Sequence, residues 1–237
     1  SSDLTTDSRS VQNNKIYSFV QSANKEYIMF FKINSYDEKL HKMNTYLYNK
    51  NLELIKRGYT EINMKERNSF LTGFDINNKG NFIFYKAVAT NTGDNINNIS
   101  LFIKEAKNDT FNTVALKKQD NIFLDEIKVK VDNANDRFIT TSFYSNKRRG
   151  DIQGLYISVF DVDKDEEILS TTTVFDENFR KDAKGTEGLK QAFNNYFIKN
   201  IIPKKNGGFL MCAESAYTNS RRDRKSTRLN SSHTDIS

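Results

Sequence analysis

Asp161-Val162-Asp163-Lys164-Asp165-Glu166-Glu167 sets carboxylates at alternate positions, the spacing with which a calcium loop begins. Side chains at the first, third and fifth positions of such a loop can converge on a hard cation. The pattern then fails, because the sixth and twelfth positions call for Gly and Glu and hold Glu166 and Thr172. Asp161, Asp163 and Asp165 are thus a weak calcium candidate, and a solvated acidic turn is the favoured reading. No metal and no cofactor are expected.

Nucleophilic catalysis needs a Ser or Cys beside a base, usually histidine. The chain holds two histidines, His41 and His233, and no Gly-x-Ser-x-Gly elbow accompanies either. His41 falls in a variable loop, residues 35–42, and reads as a surface residue. The one cysteine, Cys212, lies in an apolar run and reads as a buried, unreactive thiol. A single cysteine excludes an internal disulfide and a multi-cysteine zinc site. Gly207-Gly208 leads into an apolar strand pattern, where a phosphate-binding loop would lead into a helix. No catalytic residue is assigned. Lys147-Arg148-Arg149 could meet an anion or an acidic partner, although three charges on a loop tip are commonly just solvated. Tyr36, His41, Asp94, Lys147, Arg148 and Arg149 are the candidate partner contacts. They fall in the three loops that differ most between repeats, residues 35–42, 90–98 and 145–154.

Those loops belong to a repeated layout. A polar turn precedes a strongly apolar strand four times: residues 22–26 before Tyr27, 77–81 before Phe82, 132–137 before Phe138, and 204–208 before Phe209. Aligning Tyr27, Phe82 and Phe138 makes the first two steps equal within one residue. The third is longer because Leu189, Ala192, Phe193, Tyr196 and Phe197 fall at helical spacing, with Thr186 or the Asp176/Asn178 pair able to cap the start. Four strands fit each repeat, the one after the turn being apolar at consecutive positions. Such a strand needs a layer on both faces, as when small sheets stack face to face. A two-sheet sandwich would leave one face of every strand wet. The fold class is therefore all-β, a partial β-propeller of about three four-stranded blades plus the start of a fourth, with a short helical insertion near 186–197. The blades are expected at about residues 15–62, 68–118, 123–175 and 197–220, the last incomplete, with the insertion at 176–196.

Composition agrees with a packed core, at 37% hydrophobic and 12% aromatic residues. No apolar run is long enough for a membrane segment. Residues 1–14 are polar and expected to be disordered. Residues 221–237 resemble sequencing-adapter read-through on a fragmentary gene product, and are expected to be a non-native tail. They carry five Lys/Arg and two Asp, so the formal charge of +6 falls to +3 for the rest, which gives no footprint for nucleic acid.

The spacing, with residues 75–83 (Asp-Ile-Asn-Asn-Lys-Gly-Asn-Phe-Ile) and 202–214, resembles TolB-like and WD-type propellers of uncharacterised bacterial envelope proteins. The Trp-Asp dipeptide of WD repeats is absent, as is tryptophan altogether. The resemblance implies a periplasmic or envelope address and a non-catalytic scaffold that binds a protein or small ligand on its loop surface. The alternatives it leaves open are the propeller domain of a larger hydrolase or glycan-active enzyme, and a periplasmic sensor module.

Overall fold

The computed structural model describes residues 17–37, 39–90, 95–179 and 196–215. Among these residues, fifteen antiparallel strands form three hydrogen-bonded sheets. β1 (Ser18–Gln21), β2 (Tyr27–Asp37), β3 (Leu40–Asn49) and β4 (Leu54–Asn63) make a four-stranded meander. β5 (Ser69–Ile76), β6 (Phe82–Ala89), β7 (Ile96–Lys104) and β8 (Asn112–Ala115) repeat it. β10 (Lys128–Asp132), β11 (Arg137–Ser145), β12 (Gly154–Asp161) and β13 (Glu166–Val174) repeat it again. β14 (Tyr196–Pro203) and β15 (Phe209–Ser215) form a hairpin that supplies the first two strands of a fourth unit. The two-residue β9 (Phe123–Leu124) stitches the second and third meanders together: Leu124 pairs with both Ile96 of β7 and Tyr144 of β11. Hydrogen bonds therefore run through nine strands, yet β6 and β11 are not neighbours in that path.

Successive units meet by their faces. On β6, Phe82 and Phe84 pack into one core with Met29, Phe31, Met43, Leu47 and Ile62 of the first sheet. The intervening Ile83, Tyr85 and Ala87 pack into a second core with Val131, Phe138, Tyr144 and Phe160 of the third unit. β11 divides likewise, with Ile139 and Phe143 turned to Ile198 and Ile201 of the hairpin. Each central strand is thus greasy on both sides because each side has a neighbour, which is the arrangement of propeller blades. The first strands, β1, β5, β10 and β14, lie against one another in that order, as the inner strands of a fan do. The chain is an all-β, partial propeller.

Three sequence expectations need correction. The turn-closing bonds run from Ser22 N–H to Tyr27 O (3.0 Å), but from Asn77 N–H to Asn81 O (3.0 Å) and from Lys204 N–H to Gly208 O (2.7 Å). The first turn is one residue longer, so Ile28, not Tyr27, is the counterpart of Phe82 and Phe209. Tyr196 and Phe197 do not continue a helix: they open β14, where Tyr196 turns inward and Phe197 outward at period two. Leu189, Ala192, Phe193 and Thr186 lie outside the described residues. Asp176 does cap a helical turn, but one at residues 177–179, its carboxylate accepting the Phe179 N–H at 2.7 Å. Cys212 is exposed, because it projects from the hairpin face that none of the described residues covers.

Candidate functional site

The antiparallel meander sends alternate connections to opposite ends of the array, the 77–81 turn and its counterparts to one and the connections around residues 116–127 and 146–153 to the other, and the two ends differ in chemistry. At the turn end the units are tied together. Asn24 N–H donates to Asn78 Oδ1 at 2.9 Å, and Asn78 N–H to Asn133 Oδ1 at 2.7 Å. Asn135 Nδ2 reaches Lys204 O at 3.4 Å. Each turn is itself held by its leading side chain, as Asn77 Oδ1 accepts from Lys79 N–H and Asn81 N–H at 3.0 and 2.8 Å. This is a clasp between repeats.

The acidic turn belongs to the same end, and its carboxylates go to different partners. Asp161 accepts the Lys164 N–H at 3.2 Å and lies 3.6 Å from Arg137 Nε. Asp163 meets Lys79 Nζ at 3.3 Å, which also pairs with Asp136 at 2.8 Å. Asp165, at φ 55°, accepts Asn112 Nδ2 at 2.8 and 3.0 Å. Asp163 and Asp165 thus cross-link the second and third units, while Asp161 is held within its own. Among the described residues, no group of three or more His, Cys, Asp or Glu is placed to hold a metal ion.

The opposite end carries the long connections. Here Ser145, Lys147 and Arg149 shape a loop in which Ser145 Oγ donates to Lys147 O at 2.7 Å and Gly150 N–H to Lys147 O at 3.0 Å. Arg149, at φ 54°, donates its N–H to Asn95 Oδ1 of the second unit at 3.2 Å. Arg148 stands over the Phe123 ring with 6.0 Å to the centroid. Between the second and third units this loop borders a cavity of about 210 Å³ lined by Asn95, Phe123, Asp125, Phe143, Arg149 and Ile152, among others. Burial pushes the Asp125 carboxyl above the usual carboxylate range, with neighbouring Glu126 adding to the effect. The cavity thus joins an apolar floor to a guanidinium and a carboxyl that keeps its proton more readily than a solvated one.

Of the candidate contacts, the structure brings Lys147, Arg148 and Arg149 to this loop. His41 is elsewhere and is not in a loop: β2 and β3 extend through residues 35–37 and 40–42, leaving His41 on a strand opposite Ser35, its Nδ1 buried without a hydrogen-bond partner. Tyr36 belongs to β2, and Asp94 lies outside the described residues. Asn95, Phe123 and Asp125 were not singled out from sequence. The signal available was length: the connection before β10 is longer than the one before β5, and it carries Phe123-Leu124-Asp125 as an apolar interruption.

No family model matches the chain, and no curated protein does. Among solved structures, cobalt-substituted Synechocystis ACO is similar at TM-score 0.40 and 10% identity, over 66% of this chain and 38% of that one. A substituted Synechocystis apocarotenoid oxygenase is similar at TM-score 0.40 and 9% identity, with the same coverage. An ACO/RPE65 chimera follows at TM-score 0.39 and 9% identity. The chain spans well under half the length of these structures. Among the described residues no helix is long and apolar enough to cross a membrane.

Proposed function

We propose that this chain is a propeller scaffold of the TolB-like or WD-type kind, without catalytic residues of its own, that binds a partner or small ligand at the end carrying its long loops. The observation that carries the reading is the contrast between the ends. Turns 22–26, 77–81 and 132–137 spend side chains on one another and the hollows beside them, such as the one among Lys79, Glu105, Lys107 and Asp163, are lined mainly by charged and polar groups, whereas the loops around Arg149 border a cavity with an apolar floor and a cation. Rigid elements holding variable loops is the usual division of labour in binding proteins. At about 210 Å³ the cavity lies below the common range for drug-sized ligands, so it suits a small ligand or one side chain of a larger partner.

Benzoate, a ring bearing one carboxylate, is the simplest probe of that chemistry. Ligand-observed NMR should show saturation transfer to benzoate that is weakened by Arg149→Ala and by Ile152→Asp, and unchanged by Lys107→Ala at the turn end. Transfer that is absent, or indifferent to both loop substitutions, would remove the cavity from the reading.

A further inference from the structure

The loop between β11 and β12 borders two hollows. One is the cavity of about 210 Å³ with Phe123, Phe143 and Ile152 on its floor. The other, of about 430 Å³, is lined by Asn146, Lys147, Asp151 and Gln153, and Arg149 and Gly150 wall both. Bonds within the loop hold its shape: Gln153 N–H donates to Tyr144 O at 2.8 Å and Gln153 Nε2 to Asp151 O at 3.1 Å, beside those at Ser145 and Gly150. A surface held this way loses little freedom when a partner meets it. Residues 146–149 are exposed, and the loop carries three cations against the single carboxylate of Asp151. Among the described residues Lys147 and Arg148 have no acidic partner. At the turn end, by contrast, Lys50, Lys79 and Lys107 each meet a carboxylate at 3.1 Å or less.

Taking the loop end as the binding end, on which this rests, we infer that the loop docks an extended acidic segment of a partner protein. One apolar side chain of that segment enters the cavity between the units, and a neighbouring Asp or Glu reaches the second hollow beside Lys147. Two complementarities select this occupant. The cavity has room for one side chain over an apolar floor, so the anchor is a phenylalanine, leucine or similar group. Beside it the unmatched charge is positive, so the residues flanking the anchor are acidic. Because Arg149 and Gly150 belong to both hollows, anchor and carboxylate need lie no further apart than near neighbours in sequence. Alternate residues of an extended chain stand about 7 Å apart on one side. A nucleic acid would call for a run of cations along its backbone, which three on one loop, one of them stacked on Phe123, do not supply.

Fluorescence anisotropy of the full chain with a labelled nine-residue peptide, a central phenylalanine flanked on each side by two glutamates, tests this beside the benzoate measurement. The peptide should bind with a dissociation constant below about 1 mM. Alanine in place of its phenylalanine should weaken binding at least about tenfold, the worth of one buried apolar side chain. Glutamines in place of its glutamates should weaken it at least about fivefold. Lys147→Ala, an exposed position, should weaken the peptide by about twofold to fivefold. It should leave the benzoate signal unchanged, since Lys147 does not line the smaller cavity, and Lys107→Ala should move neither. Benzoate transfer that needs Arg149, with no peptide binding, would restrict the cavity to small ligands and overturn the acidic partner while leaving the binding end in place. Peptide binding indifferent to its phenylalanine, its glutamates or Lys147 would overturn it equally, as would a labelled single-stranded oligonucleotide that binds more tightly than the peptide. Absence of both benzoate and peptide binding would remove the binding end itself.

Discussion

Gly58→Ala is the sharpest single test of face-to-face stacking. Gly58 sits on β4 opposite Thr45, in a conformation open to any residue. A Cβ there would clash with Lys104 Cε and stand 2.8 Å from Lys104 Cδ and 2.6 Å from Thr45 Oγ1. Lys104 belongs to β7 of the next unit and reaches across the seam fully buried, its Nζ donating to Asn108 O at 2.9 Å. A solvated lysine would swing aside at little cost, but this one is enclosed. Overpacking of this kind costs about 1–3 kcal/mol, and each kcal/mol lowers the melting temperature of a chain this size by about 2–4 °C. In a Lys104→Ala background the obstacle is gone. Thr45 Oγ1 has no hydrogen-bond partner to lose on turning away, so Gly58→Ala should then be neutral or stabilising by up to about 1 kcal/mol, through the lower entropy of the unfolded chain. Urea unfolding followed by tyrosine fluorescence measures all four corners of the cycle. A Gly58→Ala cost below about 0.3 kcal/mol, within the usual scatter of additivity, or one that Lys104→Ala leaves unchanged, would show that the first and second sheets do not meet through these residues.

Three further outcomes are expected. Asn133→Ala removes the acceptor for Asn78 N–H and should cost about 0.5–1.5 kcal/mol by urea unfolding; no change would mean that the turn clasp carries no stability. Burial raises the Asp75 carboxyl pKa, against the opposing effects of the Ile76 N–H and Lys130. The folded chain therefore holds that proton where the unfolded chain has released it, and stability falls as pH rises from the ordinary carboxylate value through the raised one. Asp75→Asn should accordingly stabilise the protein at neutral pH and lose its advantage in acid, and a gain that persists below the ordinary carboxylate value would contradict the assignment. Cys212 should react with a thiol reagent at full stoichiometry without denaturant, whereas labelling that needs unfolding would contradict its exposure.

The fold was legible where a residue's neighbours along the chain carry the signal. Runs such as Phe82-Ile83-Phe84-Tyr85 demand burial on two faces, and the structure supplies a sheet on each. Turn length was less legible, because Ser22, Asn77 and Asp132 all close turns by side-chain bonds and nothing local counts the residues between. Tyr196-Phe197 misled because two adjacent apolar residues satisfy both periods, and the pairing of Tyr196 with Ser215 decides between them. Cys212 misled for a tertiary reason: its strand is apolar, but among the described residues only one face of the hairpin has a covering sheet. The ligand cavity was illegible because its walls come from a two-residue strand, a connection and two loops that meet only after the units have stacked.

That division bears on where this protein can vary. At the turn end, several bonds between units join residues 53 to 55 apart, as in Asn112 to Asp165, Asn24 to Asn78 and Asn78 to Asn133. An insertion between any such pair must bulge elsewhere or break the clasp. At the loop end the connections before β5 and β10 already differ in length while the strands they join keep their register. The end that holds Arg149 and Asp125 is thus one where a loop can lengthen without displacing the sheets that position it.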